Sequence, residues 1–207
     1  MDKFRILILI AVLGLTVTAT AYSEEAGMAA ENQAVSYNID ISHSTFGFAV
    51  KHMAVGTTRG SFTTVEGAIS YNPDDYSNFE AIVTIDANSI DTKNEGRDKH
   101  LRSADFFDTE QFPEIKFYST RLEKRGEGAV IIGDLTIKGV TKELTIPVEF
   151  SGPVKSPYGA DVIGIAGQIR INRQDYGISF SKTLDNGGLM VADMVDVIIE
   201  IEANHKG

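Results

Sequence analysis

The sequence predicts an all-β fold, an antiparallel sandwich or barrel. Three observations lead there. Runs of five to eight residues alternate apolar and polar side chains along most of the chain. Gly-, Asn- and Pro-bearing turns separate those runs. A 43% apolar and 23% charged composition supplies a core and is too poor in charge for a disordered chain of 207 residues.

The elements follow in order. Lys3 and Arg5 precede an apolar run from Ile6 to about Val17, and Ala19-Thr20-Ala21 then Tyr22-Ser23 follow it. A basic start, a short apolar stretch and small residues form a secretory signal peptide, with cleavage expected after Ala21 or Ser23. The run is short for a membrane span of about 20 residues. Residues 1–23 are therefore read as signal peptide and 24–34 as a flexible leader. The domain proper is read as 35–203 and the tail as 204–207. An uncleaved anchor is the alternative. The expected location is the periplasm, or outside the cell in a secreted protein.

Within the domain, Phe46, Phe48 and Val50 share one face of a strand, as do Ala81, Val83 and Ile85. Ile115, Phe117 and Ser119 do the same, and so do Leu144, Ile146, Val148 and Phe150. Ile163, Ile165, Ile169 and Ile171 share a face if no bulge intervenes, and Val195, Val197, Ile199 and Ile201 form the last such set. Turns are expected at Asn72–Asp75, 124–128, Lys138-Gly139, Ser156–Gly159 and 185–188. One segment departs from the pattern. Thr92-Lys93-Asn94-Glu95 fits a capping box, with Thr92 as N-cap and Glu95 three residues in, opening one short helix to Ser103. Phe106, Phe107 and Phe112 follow, so this stretch is expected to lie as a lid over one end of the fold.

Composition excludes several functions. A net charge of −10, from 19 Lys+Arg against 29 Asp+Glu, argues against nucleic-acid binding and against electrostatic docking on anionic lipid headgroups. Loss of Asp2, Lys3 and Arg5 with the signal makes the mature chain more acidic by one charge. Zero Cys removes thiolate catalysis, disulfides and Cys-based metal sites. No nucleophile elbow, P-loop or dinucleotide fingerprint is present. His43, His52, His100 and His205 show no metal-ligand spacing, so no metal and no cofactor is expected. His43 and His52 are near enough in sequence to meet across adjacent strands, and His205 is expected to be solvated. Arg97-Asp98 and Arg173-x-Asp175 read as local ion pairs. The phenylalanines either fill a core or line a hollow barrel, which an eight-stranded sheet can just provide. Periodicity does not separate these two.

The order of motifs is more specific. Tyr37-Asn38-Ile39-Asp40, His43-Ser44, Phe48-x-Val50-Lys51-His52, Arg59-Gly60-x-Phe62 and Gly67 come first. Then follow Ser89-Ile90-Asp91-Thr92, Arg97-Asp98-x-His100-Leu101, Asp105-Phe106-Phe107-Asp108 and Phe112-Pro113-x-Ile115-x-Phe117. Gly133–Ile137 with Gly139-Val140-Thr141, and Ile171-Asn172-Arg173-x-Asp175-Tyr176-Gly177-Ile178, complete the set. From about Val35 to Ala203 the chain resembles the YceI-like polyisoprenoid-binding family. The resemblance implies an extended, lipocalin-like antiparallel barrel of about eight strands with one short helix. It also implies an apolar pocket for isoprenoid chains, quinone tails, polyprenyl phosphates or other long-chain lipids, and no catalytic residue.

On that reading the pocket candidates are Phe46, Phe48, Val50, Phe62, Ile115, Phe117, Ile165 and Phe180 on the walls, with Leu101, Phe106 and Phe107 under the lid. Arg97 and Arg173 are candidates to receive a headgroup phosphate. His43-Ser44, Arg97-Asp98 and Asn172-Arg173 also read as structural ties between strand ends. The expected partner is an isoprenoid or long-chain lipid; no nucleic acid and no integral membrane segment in the mature chain are expected. A homodimer would cover strand edges. The competing functions are a ligand-free structural or interaction module, and a lipid-modifying enzyme using His43, His52 or Asp98.

Overall fold

The computed structural model describes residues 34–126, 128–182 and 189–205. The expected signal peptide, nearly all of the leader and the expected turn at 185–188 lie outside them. The strands are β1 (Val35–Ile39), β2 (Thr45–His52), β3 (Gly56–Phe62), β4 (Val65–Tyr71), β5 (Glu80–Asp86), β6 (Ile90–Asp91), β7 (Glu114–Arg125), β8 (Gly128–Ile137), β9 (Val140–Lys155), β10 (Asp161–Asn172) and β11 (Val191–His205). One helix, α1 (Glu95–Arg102), lies between β6 and β7.

These strands make eight staves, because three staves are bent and each counts as two strands. β1 and β2 run one after the other along β11, with Ile39 opposite Ala203 and Thr45 opposite Glu200. β3 pairs with β2 and its continuation β4 pairs with β1. β5 pairs with β4, and its continuation β6 pairs with β3. From there each strand pairs with the next, β5–β7–β8–β9–β10–β11, all antiparallel. The stave order follows the chain, and β11 returns to β1 and β2. The result is a closed up-and-down barrel, a solution that leaves no long sheet edge unpaired.

Short polar residues make the bends. Asp40 caps the 3-10 turn Ile41–His43 by accepting from the Ser42 amide. Asp86 caps the turn Ala87–Ser89 in the same way. Ser89 Oγ accepts from the Thr64 amide at 3.1 Å, bridging the β3–β4 break to the β5–β6 break. In β7, a bulge between Ser119 and Arg121 changes the phase, so that Leu122 points inward after Ile115 and Phe117.

The helix start differs from expectation. Asn94, not Thr92, is the N-cap and accepts from the Arg97 amide. Lys93 sits at φ 62°, a left-handed kink that ends the preceding strand before a helix can begin. Thr92 is buried instead, its hydroxyl donating to the Asp98 carboxylate. The C-terminus also differs. β11 runs to His205, whose ring nitrogen contacts the Ser36 carbonyl at 2.8 Å and whose ring lies 5.9 Å from that of Tyr37. Barrel closure recruits Asn204 and His205 of the expected tail as a strand end.

Aromatic rings plug one end. Tyr71 stacks on Phe150 with centroids 4.5 Å apart, and Phe79 meets both edge-on. At the other end, α1, residues 103–113 and residues 173–182 cross the opening.

Candidate functional site

Between the aromatic plug and the helical end lies a cavity of about 220 Å³. Of the 32 residues lining it, only Arg173 and Tyr176 carry a polar side-chain group. The walls come from inward positions of the staves: Phe46, Phe48 and Val50 of β2, Val83 and Ile85 of β5, Ile115 and Phe117 of β7, Ile165 and Ile169 of β10. The lid contributes Leu101, Phe106 and Phe107.

Two glycines help keep the space hollow. A Cβ at Gly60 would lie 2.6 Å from the Phe48 ring. At Gly133 it would lie 2.5 Å from the Phe117 ring and from the Tyr118 carbonyl oxygen. Absence of a side chain at these two inward positions lets both rings lie against the wall instead of filling the interior. Phe62 links wall to lid, with its centroid 6.1 Å from Phe48 and 5.8 Å from Phe107.

Ten of the eleven expected pocket residues line the cavity: Phe46, Phe48, Val50, Phe62, Leu101, Phe106, Phe107, Ile115, Phe117 and Ile165. Phe180 does not. Its ring packs behind the lid, 5.0 Å from Phe106 and 4.9 Å from His100. The sequence reading also missed aliphatic walls such as Ile131, Leu135 and Ile137 of β8. That strand carries apolar residues on both faces, so it has no alternation to read.

The two arginines part company. Arg97 is exposed and outside the cavity; its guanidinium donates to the Thr92 hydroxyl at 2.7 Å and carbonyl at 2.8 Å. It makes no ion pair with Asp98, which is spent on Thr92. Arg173 is 5% exposed and lines the cavity. It donates to the carbonyls of Ile178 (2.6 Å) and Ala192 (3.0 Å) and to Asp193 (3.0 Å). Asp193, not Asp175, is therefore its ionic partner. Burial pulls its pKa down, and Asp193 opposes that shift. Arg173 thus ties three chain segments together at the cavity's end.

Tyr176 is 2% exposed and its hydroxyl has no hydrogen-bond partner among the described residues. Burial pushes its pKa up to about 12, so the phenol stays neutral.

The histidines lie outside the cavity. His52 ends the eight-residue β2 and His43 lies in the 3-10 turn before that strand begins, so a strand's length separates them and they are not on facing strands. His43 Nδ1 is 3.1 Å from Asp40 Oδ2 and 3.5 Å from Glu202 Oε1. Among the described residues this is the one group of three His or carboxylate side chains close enough to share a cation. Its evident work is to latch the β1–β2 bend to β11. The Ser42 and His43 hydrogen bonds hold the Asp40 pKa down at about 2, while Asp40 and then Glu202 raise that of His43.

A closed meander with one interior apolar space defines the class of hollow antiparallel barrels to which lipocalin-like folds belong. Within that class, the chain belongs to the YceI-like domain family, whose model matches residues 37–203. It is 41% identical over 169 residues to a UPF0312 protein of Staphylococcus aureus strain MRSA252, covering 81% of this chain and 95% of that one. The BcnA structure from Burkholderia cenocepacia superimposes with a TM-score of 0.70 at 22% identity, covering 79% of this chain and 98% of that one. A polyisoprenoid binding domain from Saccharophagus degradans superimposes with a TM-score of 0.62 at 17% identity, covering 84% of this chain and all of that one.

Proposed function

We propose that this barrel is a non-enzymatic binder of polyisoprenoid or other long-chain lipids, exported by its N-terminal segment to act in the periplasm as a carrier or scavenger. One observation carries the reading: a 220 Å³ cavity whose 32 lining residues include only two with polar side-chain groups. Such walls offer nothing to a polar substrate. They suit an apolar chain, whose transfer from water contributes about 25 cal/mol per Å² buried. For scale, an engineered apolar cavity of about 150 Å³ stays dry and takes up benzene. The polyisoprenoid binding domain among the structural relatives supports the same ligand class.

The residues expected to touch the chain are the ten named above, with Phe180 acting through Phe106. Arg173 has most of its donors engaged by the protein, so it serves the mouth as a tie more than as a phosphate receptor. His43, His52 and Asp98 do not line the cavity, which counts against lipid-modifying chemistry there. The test is mass spectrometry of an organic extract of protein purified from its host, followed by reloading of stripped protein with geranylgeraniol or a quinone. Recovery of an isoprenoid or long-chain lipid and stoichiometric reloading are expected. An empty extract together with failure to reload would refute the proposal.

A further inference from the structure

We propose that Tyr176 selects lipids with a neutral, oxygen-bearing head, donating its hydroxyl to a carbonyl or alcohol oxygen held under the lid while the chain runs toward the aromatic plug. The proposal rests on the lipid-binding reading above and names the head that the cavity accepts.

Among the described residues, the cavity wall holds one hydroxyl, that of Tyr176. The side chain is 2% exposed and its oxygen has no hydrogen-bond partner among those residues. A buried phenol without a partner costs the folded protein the hydration that the group gives up. Phenylalanine would fill the same place, in the apolar cluster with Phe106, Ile137, Ile171 and Ile178, without that cost. A resident water is a poor remedy, because it needs at least two polar partners and the side chains of this cluster are aliphatic or aromatic. An acceptor oxygen on the guest meets the need. Apolar pockets commonly orient a guest by one or a few such polar groups. Orientation follows from position. Tyr176 clusters with Phe106 and Leu101 at the lid, whereas the lining residues Ile69, Ala81 and Ile165 cluster with Tyr71 of the plug.

Charge decides which oxygen. With its pKa pushed up to about 12, the phenol is a neutral donor. Arg173 is the one charged residue among the described lining residues, and it opens the same 3-10 turn, Arg173–Tyr176. Its charge is answered by Asp193 at 3.0 Å, and its other N–H groups go to the carbonyls of Ile178, Ala192 and Val191. A phosphate or carboxylate drawn into this end would be buried without a free counter-ion, which is costly. A carbonyl or alcohol avoids that penalty and still accepts the hydrogen bond.

The experiment titrates stripped, full mature protein with one geranylgeranyl chain carrying different ends: none (the hydrocarbon), a hydroxyl, an aldehyde or a phosphate. Wild type should bind the alcohol and the aldehyde about fivefold more tightly than the hydrocarbon, the net worth of one hydrogen bond. The phosphate should bind more weakly than either. Tyr176→Phe should bind the hydrocarbon as wild type does and lose the preference for the oxygenated ends. Infrared difference spectra add a readout that a packing role would not move. The carbonyl stretch of the bound aldehyde should lie lower in wild type than in Tyr176→Phe. The proposal is overturned if wild type shows no preference, if Tyr176→Phe keeps it, if the stretch is the same in both proteins, or if the phosphate binds as tightly as the alcohol. The hydrocarbon separates the two readings. If wild type binds it but ignores the ends, the cavity reading stands and this one falls; if wild type binds no member of the series, both fall.

Discussion

Filling the cavity should raise the unfolding temperature of the stripped barrel by about 10 to 20 °C. The cavity encloses about 220 Å³ of space. Unfilled apolar volume costs about 24 cal/mol per Å³, which gives about 5 kcal/mol for this cavity. A chain that fits it recovers much of that by binding the folded state alone. For a domain of this size each kcal/mol moves the midpoint by about 2 to 4 °C. The assay is circular dichroism during heating, with stripped protein and increasing geranylgeraniol. Val83→Phe provides the internal check. Val83 points inward and is 6% exposed, packed with Phe46 and Val65. A phenylalanine there extends into the empty space, so the variant should be about as stable as stripped wild type and its ligand-induced shift should fall to less than half. A wild-type midpoint that does not move on loading, or a Val83→Phe shift equal to wild type, would refute the reasoning.

Other outcomes follow from single contacts. Arg173→Lys should cost about 3 kcal/mol in urea unfolding, because one ammonium cannot hold Ile178, Ala192 and Asp193 together; faster amide exchange at 178 and 191–193 should accompany it. Tyr176→Phe should stabilise the protein by about 1 kcal/mol, since it removes a buried hydroxyl without a partner; a clear loss of stability would show that the hydroxyl is engaged. His43 should titrate by NMR above its ordinary value of 6.5, and Asp40→Asn should bring it back down. Its pKa is raised on folding, so its contribution is full below about 6.5 and is lost as pH climbs through the raised value. Asp40 is depressed on folding, so its contribution is full above 3.8 and is lost as pH falls toward 2. The stability difference between wild type and His43→Gln should therefore be largest between about pH 4 and 6.5.

Much of the barrel is legible in the sequence where one face is wet and the other dry. Ala81, Val83 and Ile85 alternate visibly, as do Val195 to Ile201, and both sets lie inward. β8 is illegible for the opposite reason. Its outward Val130 and Ile132 are 4% and 2% exposed, flanked by Arg121 and Glu123 on one side and Thr145 and Pro147 on the other. Apolar residues on both faces erase the period. β3 and β4 are hidden by Gly60 and Gly67, which remove apolar side chains at inward positions. The cavity itself could not be read from periodicity, because a filled and a hollow interior require the same pattern. What distinguishes them is the pair of glycines under Phe48 and Phe117, and only the register brings those together. Arg173 was legible as a tie but not in its partner, since Asp193 lies twenty residues away and reaches it through barrel closure.

The last stave has a consequence for how the chain acquires its shape. β11 holds β10 on one side and both β1 and β2 on the other, so the ring has no seam until its final fifteen residues arrive. Pairings such as Asn38 with Asn204 span nearly the whole domain, and contacts of such high order are slow to form. A partly emerged chain can gather hairpins but cannot close a compartment. The barrel is therefore committed late and as a unit.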